Sequence, residues 1–203
     1  TVRDSDFTKV TNVQTVTANG AASALTAVLG ANMSTAGVTT VSLVSTATDT
    51  LTIGSGFASN LTVNAGDDTA ADTINAAAFT KVLTVAAASS ELDTSAMVLT
   101  GGTGSSDTLQ VTVDASDTLL LNSMTAIENV TFAGTGGGTV ATTITPADTV
   151  VASGGNLKID YTSMDDDDLT LDVSNETNGS YTILTDGSGA MIITLGAGAD
   201  SYN

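Results

Sequence analysis

The sequence predicts an all-β fold: a parallel β-helix or β-roll-like solenoid with a short N-terminal helix, the alternative being an antiparallel β-sandwich. Three observations predict it. Apolar centres recur in steps of about ten residues, the spacing of short strands divided by turns. They fall at Val41, Leu51, Leu61, Ile74, Leu83, Leu99, Leu109, Leu119, Val130, Val140, Val150, Ile159, Leu169, Ile183 and Ile193. Several of these segments are near copies: Asp49-Thr-Leu-Thr-Ile, Asn60-Leu-Thr-Val, Lys81-Val-Leu-Thr-Val, Asp107-Thr-Leu-Gln-Val and Asp117-Thr-Leu-Leu-Leu. Phe7-Thr-Lys-Val also returns as Phe79-Thr-Lys-Val. Stacked coils set like residues on like residues, whereas sandwich strands each meet individual neighbours. Finally, the hydrophobic share is 41% but aromatics are only 3%, so the core is built from thin aliphatic layers. The ten-residue step also suits an immunoglobulin-like sandwich, although the chain has no Cys and no Trp to make that fold's hallmark.

Taken in order, residues 1–36 form a lead-in strand and a helical or irregular cap. Phe7, Val10, Val13 and Val16 recur every third residue among threonines that favour extended backbone. In residues 19–36, Leu25, Val28 and Leu29 share one helical face and Gly30 ends the helix. Residues 37–203 are the repetitive β domain. Val98–Val113 shows its unit: an apolar run, the corner Gly101-Gly102, the loop aspartate Asp107, then alternation at Leu109, Val111 and Val113. Further corners lie at Gly54-Ser55-Gly56, Asn64 to Asp68, Gly134 to Gly138 and Gly154-Gly155. Asp165–Asp168 puts four like charges in a row, read as a cation-bound corner or as a solvated turn. The chain begins at Thr1 without Met, so an excerpt of a longer chain or a processed product is expected.

Charge narrows the function classes. The formal net charge is −18, from 22 acidic residues against 4 basic ones. Arg3, Lys9, Lys81 and Lys158 are too few to neutralise phosphates, which argues against nucleic acid as a partner. An anionic membrane surface repels such a chain, and no apolar run is long enough to span a bilayer. With no Cys and no His, disulfides, Cys/His zinc sites, thiol nucleophiles and Ser-His-Asp triads are out of reach. Nineteen of the acids are Asp, set beside Gly, Ser and Thr, a pattern of short loop carboxylates that suits hard cations such as Ca²⁺.

Residues 195–203, Leu195-Gly-Ala-Gly-Ala-Asp-Ser-Tyr-Asn, resemble the calcium-binding nonapeptide Gly-Gly-x-Gly-x-Asp-x-hydrophobic-x of RTX proteins. Gly196, Gly198, Asp200 and Tyr202 fit, while Leu195 replaces the first glycine. The nine residues from Asp186 keep Gly187 and Gly189, with Met191 where the ligand aspartate belongs. Gly101 to Asp107 resembles the motif with its aspartate one place late, and Asn64 to Asp68 is a looser relative. The texture as a whole is similar to bacterial surface-layer proteins and RTX-type adhesins. The resemblance implies Ca²⁺ held at corners between coils of a right-handed parallel solenoid. The candidate ligands are Asp67, Asp68, Asp107, Asp165, Asp166, Asp167, Asp168, Asp186 and Asp200.

The expected function is a structural, self-assembling domain on the bacterial cell surface, stabilised by Ca²⁺, with other copies and cell-surface polysaccharide as partners. An adhesin or fibre module that binds a glycan or receptor is the alternative, and a calcium-dependent carbohydrate-active enzyme a distant third. No enzymatic activity is expected. Carboxylate pairs such as Asp67/Asp68 or Asp114/Asp117 lack the aromatic platforms of sugar-cleaving sites, and the glycines at 134–138 open no helix that could cradle phosphate.

Overall fold

The computed structural model describes residues 1–18, 23–66, 70–93, 97–134 and 139–203. After β1 (Val2–Arg3) and a 3-10 turn at Asp4–Phe7 come β2 (Thr15–Ala18), β3 (Thr26–Leu29) and helix α1 (Ala31–Ala36). There follow β4 (Thr40–Leu43), β5 (Thr50–Ile53), β6 (Leu61–Gly66), β7 (Thr73–Asn75) and β8 (Leu83–Ala88). A 3-10 turn at Ser89–Leu92 leads to β9 (Val98–Thr100), β10 (Thr108–Val113), β11 (Asp117–Leu119), β12 (Met124–Thr125) and β13 (Asn129–Gly134). The last are β14 (Ala141–Ile144), β15 (Asn156–Asp160), β16 (Asp168–Asp172), β17 (Ser180–Leu184), β18 (Met191–Thr194) and β19 (Ser201–Tyr202).

Every strand pairing described is parallel, and each joins strands one coil apart rather than neighbours in sequence. The fold is a β-solenoid, and the antiparallel sandwich is set aside. A nine-stranded sheet, β2-β4-β6-β8-β10-β13-β15-β17-β19, runs the full length. A six-stranded sheet, β1-β3-β5-β7-β9-β12, flanks its N-terminal part, and a four-stranded sheet, β11-β14-β16-β18, flanks the C-terminal part. Most coils therefore hold two strands, and the coil with β10, β11 and β12 contributes one to each sheet. The ten-residue step in the sequence is half a coil: Val41, Val63 and Val85 stack at intervals of 22 residues.

Register explains why the strand segments are near copies. One inward column of the long sheet reads Val16, Val41, Val63, Val85, Leu109, Val130, Ile159, Ile183, Tyr202. The neighbouring outward column begins Thr15, Thr40, Thr62, Thr84, Thr108. Opposite the inward column, Ala27, Leu51, Ile74, Leu99 and Met124 line up in the six-stranded sheet. Leu119, Ile144, Leu171 and Ile193 do so in the four-stranded one. Strands alternate buried and half-exposed residues, as in β6, β8 and β17. A β-branched side chain on such a surface is held by its own kind above and below.

The repeat Phe7/Phe79 marks one type of corner, that leading from the six-stranded to the nine-stranded sheet. Phe57 and Phe79 fill successive corners of this type, fully buried, with ring centroids 6.0 Å apart in an edge-on arrangement. Met33 of α1 is buried in the corresponding corner one coil before Phe57.

The N-terminal helix differs from its sequence-based expectation. Gly30, expected to end a helix carrying Leu25, Val28 and Leu29, instead precedes one. Thr26–Leu29 alternates exposed and buried residues and pairs with β5, so tertiary pairing overrides the helical spacing. The Asp4 carboxylate sits against Gly30 and accepts the N–H groups of Asn32 (3.3 Å) and Met33 (2.9 Å), capping α1 from the previous coil. Gly37 closes the helix at φ 100°. Residues 19–22 of the expected helix lie outside the described residues. Two apolar centres, Val140 and Val150, fall just before β14 and in a turn after it rather than in strands. Val150 is nevertheless buried.

Candidate functional site

The acidic residues form a pattern that follows the coils. A carboxylate stands immediately before each of β5, β7, β10, β13, β16 and β19: Asp49, Asp72, Asp107, Glu128, Asp167 and Asp200. Each accepts a backbone N–H from the preceding coil. Asp49 takes Leu25 N–H (2.6 Å), Asp72 takes Asp49 N–H (2.7 Å) and Asp107 takes Leu83 N–H (2.8 Å). Glu128 takes Asp107 N–H (2.8 Å), Asp167 takes Val140 N–H (2.7 Å) and Asp200 takes Tyr181 N–H (2.8 Å). At a corner the backbone turns away and cannot continue the ladder of carbonyl acceptors. The carboxylate supplies the missing one, and such charge-assisted bonds are stronger than neutral ones.

The residues nominated from the sequence divide by this geometry. Asp107 is fully buried, and both its oxygens are engaged, Oδ2 accepting Gly102 N–H at 2.6 Å. Asp200 likewise uses its second oxygen on Gly196 N–H at 3.0 Å. The run Asp165–Asp168 sends its four charges in different directions. Asp165 and Asp166 are exposed, Asp166 adopting φ 57° and donating its N–H to Ser188 Oγ (3.1 Å). Asp167 is buried and points to the previous coil, while Asp168 Oδ1 accepts Ala190 N–H (2.7 Å) from the next. Asp186 is exposed and closes its own turn, accepting Ser188 N–H (3.0 Å) and Oγ–H (2.5 Å). Those donors hold its carboxyl below the usual range. Asp67 and Asp68 lie outside the described residues. Among the described residues, no three acidic side chains converge closely enough to ligate one ion.

Asp49, Asp72 and Glu128 were not singled out from the sequence. The signal was present: a carboxylate directly before a strand headed by Thr or Asn, as in Asp49-Thr and Asp107-Thr. Burial pushes the Glu128 carboxyl up, the Asp107 N–H opposes that, and the Asp107 charge adds to the rise. Among the described residues the ion pair is Lys158–Asp160 at 2.8 Å. Burial works to raise the Asp160 carboxyl, but hydrogen bonds from Lys158 and Thr162 outweigh it and set it below the ordinary value.

A second carboxylate group is absent from the nominated set. Glu176, in the corner between β16 and β17, is 2% exposed. Its Oε1 accepts the N–H groups of Asn178 (3.0 Å) and Gly179 (2.6 Å), while its buried Oε2 has no hydrogen-bond partner. Asp148, in the long connection after β14, reaches the same corner and accepts Thr177 N–H and Oγ–H, both at 2.8 Å. Elsewhere, a shallow cavity of about 350 Å³ beside Asn64, Ala87 and Thr112 has Asp114 as its titratable lining residue among the described residues. No described helix is long and apolar enough to cross a membrane.

No family model, no curated protein and no solved structure matches the chain. The likeness to RTX and surface-layer proteins therefore rests on the motifs themselves.

Proposed function

We propose that this chain is a structural module of an extracellular, self-assembling bacterial surface layer, with no enzymatic role. One observation carries this reading: the carboxylates before the strands are directed at backbone N–H groups of the adjacent coil, not into a shared cleft. An acid set arranged in that way serves the architecture. A rod of stacked coils is suited to bearing load and to repeating contacts. In this reading Ca²⁺ screens the exposed acids Asp165, Asp166 and Asp186, which face solvent on successive coils, and lets like-charged modules approach.

The test is assembly. Light scattering and electron microscopy of the purified chain should show sheets or filaments in millimolar-range Ca²⁺, dispersing when a chelator is added. A monodisperse monomer under both conditions would remove the self-assembly reading and leave a ligand-binding fibre module as its successor.

A further inference from the structure

We propose that Asp148 and Glu176 together bind a hard divalent cation of the calcium class. This goes beyond the assembly reading, because neither residue belongs to the corners discussed there and the site can exist in a monomer.

The argument starts from Glu176 Oε2, a carboxylate oxygen that is buried and has no hydrogen-bond partner. Leaving a buried charged acceptor unsatisfied is costly. The other oxygen of the same group is held by two N–H donors, so the carboxylate cannot swing out to water without breaking both bonds. Val151 packs against Gly179 and closes the corner on the apolar side. The Asp148 side chain lies in hydrogen-bonding proximity to the Glu176 carboxyl. Two ionised carboxylates are both acceptors, so only a proton or a cation can join them.

The surroundings favour the cation. Thr177, next to Glu176 in the chain, fixes the Asp148 carboxylate at this corner by donating its N–H and Oγ–H to one oxygen, each at 2.8 Å. Asp200 adds a further negative group nearby, accepting the N–H of Tyr181 at 2.8 Å. No protein cation answers them: the one lysine of the neighbouring strands, Lys158, is paired with Asp160. Asp148 is half-exposed, giving an ion a path from solvent. Two carboxylates on irregular loops, completed by carbonyls and water, suit the adaptable coordination of Ca²⁺ better than the strict octahedron of Mg²⁺.

The test uses the whole chain at a concentration where it is monomeric, with Ca²⁺ alone, Mg²⁺ alone and chelator. Ca²⁺ should raise the melting temperature, with Mg²⁺ much less effective. Calorimetric titration of D148N and E176Q should show Ca²⁺ affinity reduced by about tenfold or more, because affinity follows ligand charge. Both variants keep an acceptor oxygen for the N–H groups that order the corner. As a second measurement, Tb³⁺ luminescence excited through tyrosine should appear in the wild type and be lost in Y181F, which keeps the ligands. An equal Ca²⁺ response in wild type, D148N and E176Q would overturn the proposal by placing the ion elsewhere. So would the absence of any Ca²⁺ response. Because the readouts are stability and stoichiometry of the monomer, failure to assemble leaves them untouched.

Discussion

Asp107 joins three coils through one side chain and its own backbone. Its oxygens accept the N–H groups of Leu83 and Gly102, and its N–H donates to Glu128. A neutral isostere does not reproduce this. Asn offers one acceptor oxygen, and its NH₂ would face an N–H donor, leaving a buried clash of donors. Asp107→Asn is therefore expected to destabilise the fold by about 2 kcal/mol or more, the scale of a lost hydrogen bond to a charged group. Urea denaturation with an unchanged m-value would measure it. A loss under about 0.5 kcal/mol, typical of neutral surface changes, would refute the clamp. The same residue shows how far sequence reasoning reaches. A loop aspartate among glycines signals that the carboxylate has local work to do, and both ion binding and N–H capture satisfy that signal. Choosing between them requires knowing which N–H of the preceding coil lies opposite, 24 residues earlier for Asp107 and 27 for Asp167. Glu176 was invisible for the same reason. Its significance lies in an oxygen left without a partner, which no spacing encodes.

Among the elements, strands and the places of several corners were legible, and the contacts made inside the corners were not. Strand positions follow from alternation and β-branching, which act locally, so nearly every apolar centre lies on a strand. That two steps make one coil is set by which strands pair, a non-local fact. The helix expectation failed because Leu25, Val28 and Leu29 satisfy two periods at once, and pairing of β3 with β5 decided for the strand. Corners depend on close approach between coils. At Gly101 an added Cβ would fall within the contact radius of the Ala126 carbonyl oxygen in the next coil. That oxygen cannot retreat without breaking the neighbouring bond from Gly101 N–H to Thr125 C=O, at 2.9 Å. Gly101→Ala should therefore cost about 1–3 kcal/mol through overpacking. Thr125→Ala, an exposed outward position on β12, should stay within about 0.5 kcal/mol. Equal effects in thermal or urea denaturation would show that the corner tolerates a methyl group and that the stacking is looser than described.

For the molecule as a whole, unbalanced charge is the main opposing force. A formal charge of −18 on 203 residues is self-repulsive, and only 4 basic residues offset it. The pH dependence follows from the folded-state shifts. The carboxyls of Asp148, Asp172 and Asp186 are held below their ordinary range by the hydroxyl and N–H of Thr177, Ser174 and Ser188 respectively. Asp160 is also lowered, Lys158 and Thr162 outweighing its burial. Groups lowered in this way bind protons less readily folded than unfolded. Their stabilisation is present above the ordinary carboxylate range, at about pH 4, and is lost as pH falls through it. Glu128 has the opposite sign: raised by burial and then by Asp107, it disfavours the folded state once ionised, and acidification through its folded value relieves that. Protonation of any carboxylate also reduces the net repulsion. The melting temperature should therefore hold level or rise slightly from about pH 7 to about pH 5, then fall steeply below about pH 4. A steady fall beginning at neutral pH would contradict this assignment of signs. Salt separates repulsion from the local bonds. Raising monovalent salt at neutral pH from about 0.01 M to about 0.1 M shortens the screening length from about 30 Å to about 10 Å. Exposed charges on successive coils are then screened, while the buried N–H clamps are not. The melting temperature should rise with salt in wild type and in Asp107→Asn alike, keeping the gap between them. A gap that closes with salt would mean that Asp107 acts through long-range charge instead of through its two hydrogen bonds.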